Sequence, residues 1–197
     1  LARRLRLGHR VVAFEPAVEA YGNLIRNIRH NNVEDKVVIL PCAASNVAGS
    51  SALYRVSGRS EYSSLAPIVH PSAAGGAVNP EDVATITVDE VVEQHGLRPA
   101  FIKVDVEGAE HLVLSGCRRT IQAHRPVLLM EVSDQLLRAA GSSAASLIDS
   151  MRSYDYVVVD PVKPKLQPGS RAFGDIVCFP KEHDQWRSML QGRSRTH

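Results

Sequence analysis

The sequence predicts a single α/β domain: a mostly parallel, twisted sheet with helices on both faces and a C-terminal antiparallel hairpin. Three observations predict it. Short apolar runs with abrupt polar stops recur along the chain, the pattern of buried parallel strands. Between them lie segments with apolar residues at three- and four-residue spacing, the mark of amphipathic helices. The order strand, helix, strand is the building unit of a doubly wound sheet. At 197 residues the chain is long enough for one sizeable core.

Taken in order, residues 10–14 form an apolar run stopped by Glu15-Pro16. Val18, Tyr21, Leu24, Ile25 and Ile28 then mark one face of a helix that ends at His30-Asn31-Asn32. Residues 37–40 are the next strand, closed by Pro41 and followed by Cys42-Ala43-Ala44-Ser45. Residues 49–56 read as a short strand. Residues 57–80, with Gly58, Gly75, Gly76, Pro67, Pro71 and Pro80, are too long for an ordinary connection and read as a mobile insertion or a lid. Strand character returns at 83–88, followed by a short helix ended by Gly96. Residues 100–104 are a strand stopping at Asp105, and 110–124 a helix with a break at Gly116. Residues 127–130 are a strand ending at Glu131, 142–153 a helix capped by Ser142 or Ser143, and 156–159 a strand. Residues 176–179 are the last strand, its hairpin partner being 156–159. The domain is taken as residues 1–182, with 183–197 a C-terminal helix or tail.

Composition is that of an ordinary soluble protein, 44% hydrophobic and 22% charged. The net charge of +2 gives no argument for nucleic acid or an anionic membrane. Arg3, Arg4, Arg6 and Arg10, and Arg187, Arg193 and Arg195, cluster at the two ends and read as a solvated helix and tail. No apolar run is long enough to span a bilayer. Cys42, Cys117 and Cys178 form no C-x-x-C pair, so neither a zinc knuckle nor a redox pair is indicated. Scattered thiols suit a reducing, cytoplasmic setting. The eight histidines show no metal-binding spacing.

Ligands of an open parallel sheet bind beyond the carboxyl ends of its strands, so the residues following each strand are the candidates for chemistry. Glu15 follows the first. One carboxylate presents two coplanar oxygens and can accept both hydroxyls of a ribose; the competing reading is an acid favoured by the dipole of the next helix. Asp105 and Glu107 bracket a turn that Gly108 permits. Two acids so placed repel unless a cation, a donor-rich ligand or a basic partner offsets them. Lys103 is expected to point to the opposite side. Glu110 opens a helix and needs no role beyond the dipole. Asp105, Glu107 and Glu131 could together offer oxygens to Mg²⁺ or Ca²⁺, although no local spacing enforces it.

As an ordered set these segments resemble the FkbM methyltransferase family. Val11-Val12-Ala13-Phe14-Glu15-Pro16 is similar to its second strand and ribose-binding acid, and Cys42-Ala43-Ala44-Ser45 to the loop near its adenine. Thr87-Val88-Asp89-Glu90-Val91 resembles its T-L-D-x-L segment. The strongest likeness is residues 102–110, with Leu114, Ser115 and Gly116 behind it; residues 126–132 resemble the following strand. The likeness runs from about Arg10 to Pro180. It implies a Rossmann-like class I methyltransferase fold and S-adenosyl-L-methionine as cofactor. Glu15, Ala43, Ala44 and Asp105 would then be cofactor contacts, Ser64 and Glu131 acceptor contacts, and Glu107 the base for a hydroxyl. Acceptors compatible with it are sugar, polyketide, lipid or small-metabolite hydroxyls.

Two departures are visible. Ser133-Asp134 stand where family members carry His or Asn, which leaves a substrate role there open. The family's opening strand and D-x-G-A-x-x-G turn have no counterpart before Val11, and residues 1–9 read as the end of the helix that follows that turn. The chain as written is therefore expected to hold cofactor poorly. Two rivals remain: a cofactor-incompetent scaffold of the same fold, and an NAD-dependent dehydrogenase, which also places an acid after its second strand but here lacks a Tyr-x-x-x-Lys pair.

Overall fold

A computed structural model of the chain describes residues 2–5, 8–56, 59–65, 78–163, 173–184 and 187. Ala2–Arg4 form a 3-10 turn where the sequence reading has the end of an α-helix. Strands β1 (Val11–Phe14) and β2 (Val37–Leu40) pair in parallel around helix α1 (Val18–His30). The α1 cap residue, Ala17, has no side chain to offer, and Glu15 Oε1 accepts its N–H at 2.9 Å instead.

The middle of the chain is more ordered than the sequence predicts. Strands β3 (Ala43–Ala44), β4 (Gly49–Val56), β5 (Arg59–Ser64) and β6 (Val78–Ile86) form a sheet in the order β3-β6-β4-β5. The expected 57–80 connection thus contains a strand and the start of another; residues 66–77 lie outside the described residues. The signal was weak because Arg59–Ser64 is almost wholly polar, as an edge strand can be.

Helix α2 (Val88–Gln94), strand β7 (Phe101–Val104), helices α3 (Glu110–Ser115) and α4 (Arg118–His124) and strand β8 (Val127–Ser133) come next. Helices α5 (Asp134–Ala139) and α6 (Ala144–Ser153) and strands β9 (Tyr156–Val159) and β10 (Phe173–Pro180) complete the fold. The sheet order is β7-β8-β10-β9. Ser143 is the α6 cap. The hairpin of β9 and β10 is antiparallel as expected, and β10 also inserts against β8.

Two expectations need correction. The pairing is not mostly parallel: β1–β2, β3–β6 and β7–β8 are parallel, whereas β4–β5, β4–β6, β8–β10 and β9–β10 are antiparallel. Nor do helices flank the β7–β10 sheet on both sides among the described residues. Val104, Leu128, Met130, Val132, Ile176 and Cys178 bury one face against residues of all five helices α2–α6. The opposite face alternates in period 2 and carries Phe101, Lys103, Glu131 and Asp175, all exposed or half-exposed.

Two close contacts lock the helical layer. A Cβ at Gly116 would lie 2.0 Å from the Ser45 carbonyl oxygen, so only glycine lets the end of α3 meet the segment after β3. Asp89, whose side chain is 10% exposed, takes the N–H groups of Arg119 and Thr120 and the Thr120 hydroxyl at 2.7–3.0 Å. It caps α4 from α2, while Thr87 and Glu90 close a capping box on α2 itself.

Replacing Gly116 by Ala should destabilise by about 1–3 kcal/mol through overpacking. Asp89→Ala, which strands buried donors, should cost about 1–3 kcal/mol. Both are read as lower urea midpoints with unchanged slope; wild-type midpoints would show that neither contact is holding the layer.

Candidate active site

The site begins at the carboxyl end of β7. After Val104 the chain leaves the sheet, and Glu107 (φ +50°) and Gly108 (φ +98°) both adopt left-handed backbone. A Cβ on Gly108 would stand 3.0 Å from the backbone of Leu136, so glycine is required here by conformation and by space. The turn keeps Asp105 exposed and Glu107 half-buried.

Glu131 does not end its strand, as the sequence reading has it, but lies inside β8. β10 extends the pairing past it, with Asp175 directly opposite Glu131 and Phe173 opposite Ser133. Because β7 and β8 are parallel with Val104 opposite Met130, Asp105 and Glu131 leave neighbouring strands at the same level. Burial, hydrogen bonding with Asp105 and the charges of Asp105, Glu107 and Asp175 push Glu131 up to about 7. Burial, with the charges of Asp105 and Glu110, also raises Glu107.

Lys103 is the cation in this group. It was expected on the opposite side, yet residues two apart on a strand face the same way, and its Nζ meets Asp105 Oδ2 at 2.5 Å. Asp105, Glu131 and Asp175 together raise the Lys103 ammonium. Asp175 is the residue that sequence reasoning missed; the alternation Phe173, Asp175, Val177 was the available signal. Three acids and Glu107 against one lysine leave an excess of negative charge, which suits a positively charged ligand. Among the described residues, no group of three or more His, Cys, Asp or Glu is arranged to hold a metal ion.

The other candidates gather around a second, smaller cluster of Ala17, Ala43, Leu53 and Val83. Ala43 is buried in it, so its side chain packs and does not face a crevice; Ala44 leans on the main core. Leu65 packs on the same small cluster, which brings the end of β5, with Ser64 opposite Tyr54, toward the loop after β1. Glu15 meets that loop through its bond to Ala17. No described bond joins Glu15 to the Asp105 group. The link is through the core: Phe14, Ala44 and Val106 all pack against the main cluster, each beside a candidate residue.

Ser133 and Asp134, left open by the sequence, are accounted for structurally. The Ser133 hydroxyl caps α5, and Asp134 bonds Arg138 and the Ala144 N–H. The thiols are unsuited to nucleophilic work, since burial lifts Cys117 to about 12 and raises Cys42 and Cys178.

Against known proteins, the chain matches the methyltransferase FkbM domain over residues 1–158. Among solved structures it is similar to methyltransferase FkbM from Methylobacillus flagellatus KT, with 19% identity and a TM-score of 0.51. The likeness covers 87% of this chain and 36% of that one, so the chain spans about a third of that protein's length. At that identity the similarity speaks for the fold alone. No curated protein matches the chain in sequence. With the family profile extending from the first residue into β9, the chain belongs to the FkbM methyltransferase family.

Proposed function

We propose that this domain takes part in S-adenosyl-L-methionine-dependent O-methylation of a hydroxyl on a sugar, polyketide, lipid or small metabolite. The observation that carries the reading is the group Asp105, Glu107 and Glu131, in which one carboxyl is held near 7. Methylating a hydroxyl requires its proton to leave, and Glu107, whose carboxyl burial raises above its ordinary range, is suited to accept one. The reading includes a class I, Rossmann-like arrangement, with residues 1–182 as the domain and 183–197 as a tail. A described anchor suits that boundary: Arg125 holds Glu182 through two bonds of 2.8 and 2.9 Å. Among the described residues no helix is long and apolar enough to cross a membrane; a cytoplasmic location is part of the proposal.

The residues present fit the cofactor by charge and by donor set. Glu15 spends one oxygen on the α1 cap, and a carboxylate has further lone pairs for ribose hydroxyls. Ala43 and Ala44 would contribute backbone, since their side chains pack inward. Asp105 is assigned to the cofactor side of the acidic group. The cofactor supplies an electrophilic methyl on a cationic sulfur, which the acceptor oxygen displaces. The protein's part is to align the two reactants and to take the hydroxyl proton on Glu107. Glu131 and Ser64 are the acceptor contacts in this scheme.

Titration of the protein with S-adenosylmethionine and with NAD tests the reading. With this chain titrated beside a version extended upstream, binding of the first by either supports it; binding of NAD alone turns the assignment to a dehydrogenase, and binding of neither by either version to a scaffold.

Glu107→Gln should lower turnover by about 10²–10⁴-fold while leaving cofactor affinity nearly unchanged. Unchanged turnover would remove Glu107 from the mechanism. For Glu131 the sign is fixed by linkage. The folded group keeps its proton up to about 7, whereas an unfolded Glu releases it near about 4.3. Between these values the folded state binds more protons, so the stabilising contribution of Glu131 is lost as pH rises through the window. Glu131→Gln should therefore flatten the fall of Tm from about pH 5 to about pH 7. A wild-type slope in that variant would place the titration elsewhere.

A further inference from the structure

We infer that Glu110 is a positioning residue: its buried carboxylate holds the left-handed turn that presents Glu107. The inference rests on the assignment of Glu107 proposed above.

The turn is one the backbone does not adopt unaided. Glu107 sits at φ +50° and Gly108 at φ +98°, and a left-handed conformation at a non-glycine residue persists only where its surroundings over-determine it. Successive N–H groups in a turn can converge on one concavity, which attracts an anion. Something must therefore satisfy those donors. Ala109, the cap residue of α3, has no side chain able to do so.

Glu110 fills the concavity from one turn further on. Its Oε1 accepts the Gly108 N–H at 3.0 Å. Burial raises the Glu110 carboxyl above its ordinary range, and the backbone of Gly108, of Glu110 itself and of Val106 offsets part of that rise. Oε2 completes no hydrogen bond, and the residue is only 2% exposed. No described cation forms an ion pair with it. The dipole of α3 does not explain this placement. An acid in a first helical turn gains that benefit while hydrated, and burial of a carboxylate without a counter-charge is unfavourable. A carboxylate turned inward onto the turn's own N–H groups is explained by what it holds in place.

The clamp has two jaws. Leu136, at the start of α5, presses on Gly108 from one side, with 3.0 Å to the site of an added Cβ. Glu110 draws the Gly108 amide from the other. Between them the chain has one course from Val104 to α3, and Glu107 stands at its apex. Removing the Glu110 acceptor leaves Glu107 chemically intact but free to take other backbone conformations. Misplacement of that kind depresses turnover more than binding.

The test compares three variants in the intact protein. Glu110→Ala removes the acceptor, Glu110→Gln keeps a carbonyl oxygen without the charge, and Glu110→Asp keeps the charge with shorter reach. Measured together are kcat, KM for cofactor and acceptor, folded fraction by circular dichroism, and hydrogen exchange at the Gly108 amide.

Glu110→Ala should lower kcat per folded molecule by about 10- to 100-fold with little change in cofactor KM. Its Gly108 amide should lose protection. Glu110→Gln should restore both, and Glu110→Asp should fall between. Wild-type kcat per folded Ala variant overturns the inference, since it would leave Glu110 a stability residue only. A Gln variant as impaired as Ala but still protected at Gly108 also overturns it, because the charge and not the clamp would then matter. Should Ala fail to fold, the Gln and Asp variants carry the same comparison. Should the protein transfer no methyl group at all, the proposed reaction fails on its own. The Gly108 exchange still decides the clamp: full protection in the Ala or Asp variant ends it.

Discussion

The approach of the Gly108 turn to the Leu136 backbone is the contact on which the site depends. Leu136 is where it is because Ser133 caps α5 at the point where β8 stops. The end of β8, the first turn of α5 and the turn after β7 therefore form one rigid corner. Asp105 and Glu107 lie on one of its arms and Glu131 on the other. A side chain at Gly108 would push the arms apart. The same device recurs where Gly116 meets the Ser45 carbonyl, seating the segment after β3 against the α3–α4 break. Two glycines thus bring loops from separate sheets onto one helical layer.

That corner concentrates like charge. Asp105, Glu131 and Asp175 share the partly open face of the β7–β10 sheet, with Glu107 at its rim and Lys103 as cation. In a protein built only for stability these acids would disperse, or each would carry a basic partner as Asp134 does with Arg138. The two responses are the short Lys103–Asp105 contact and the rise of Glu131 to about 7. Both answer repulsion locally, and the second leaves a group able to exchange a proton near neutrality. Clustering that works against the fold and favours proton transfer is the usual physical signature of a reactive site.

Legibility in the sequence followed the strength of the hydrophobic signal. Val11–Phe14, Val37–Leu40 and Phe101–Val104 are short apolar runs between helical segments, and their strands were readable to within a residue. Arg59–Ser64 was not, because an edge strand with little apolar content shows no period. Glu131 was taken to end its strand because a charge follows four apolar residues. It continues because β10, distant in sequence, supplies the pairing, and only tertiary context carries that information. That helices cover one face of the β7–β10 sheet among the described residues was likewise hidden. Phe101 and Leu129 look as buried as Val104 and Leu128 until the register assigns them to opposite faces. The candidate acids at β7 were legible because strand ends in parallel units are where ligands bind. Their proximity to Asp175 was not, because it is made by an antiparallel return.

The residues that carry the family likeness divide by physical role, and the division limits what a likeness can transfer. Thr87, Asp89 and Glu90 are occupied in caps: the first and last close a box on α2, and Asp89 spends its oxygens on α4. Gly108 and Gly116 serve close approach, and Glu110 fills a concavity of backbone donors. These residues would be needed in this fold whatever its substrate. Asp105 and Glu131 are not consumed in that way. Sequence likeness through this segment is therefore, in large part, likeness of scaffold. The chemistry has to be argued from the few acids that the scaffold holds at the sheet's edge. The acceptor has to be argued from residues outside those caps.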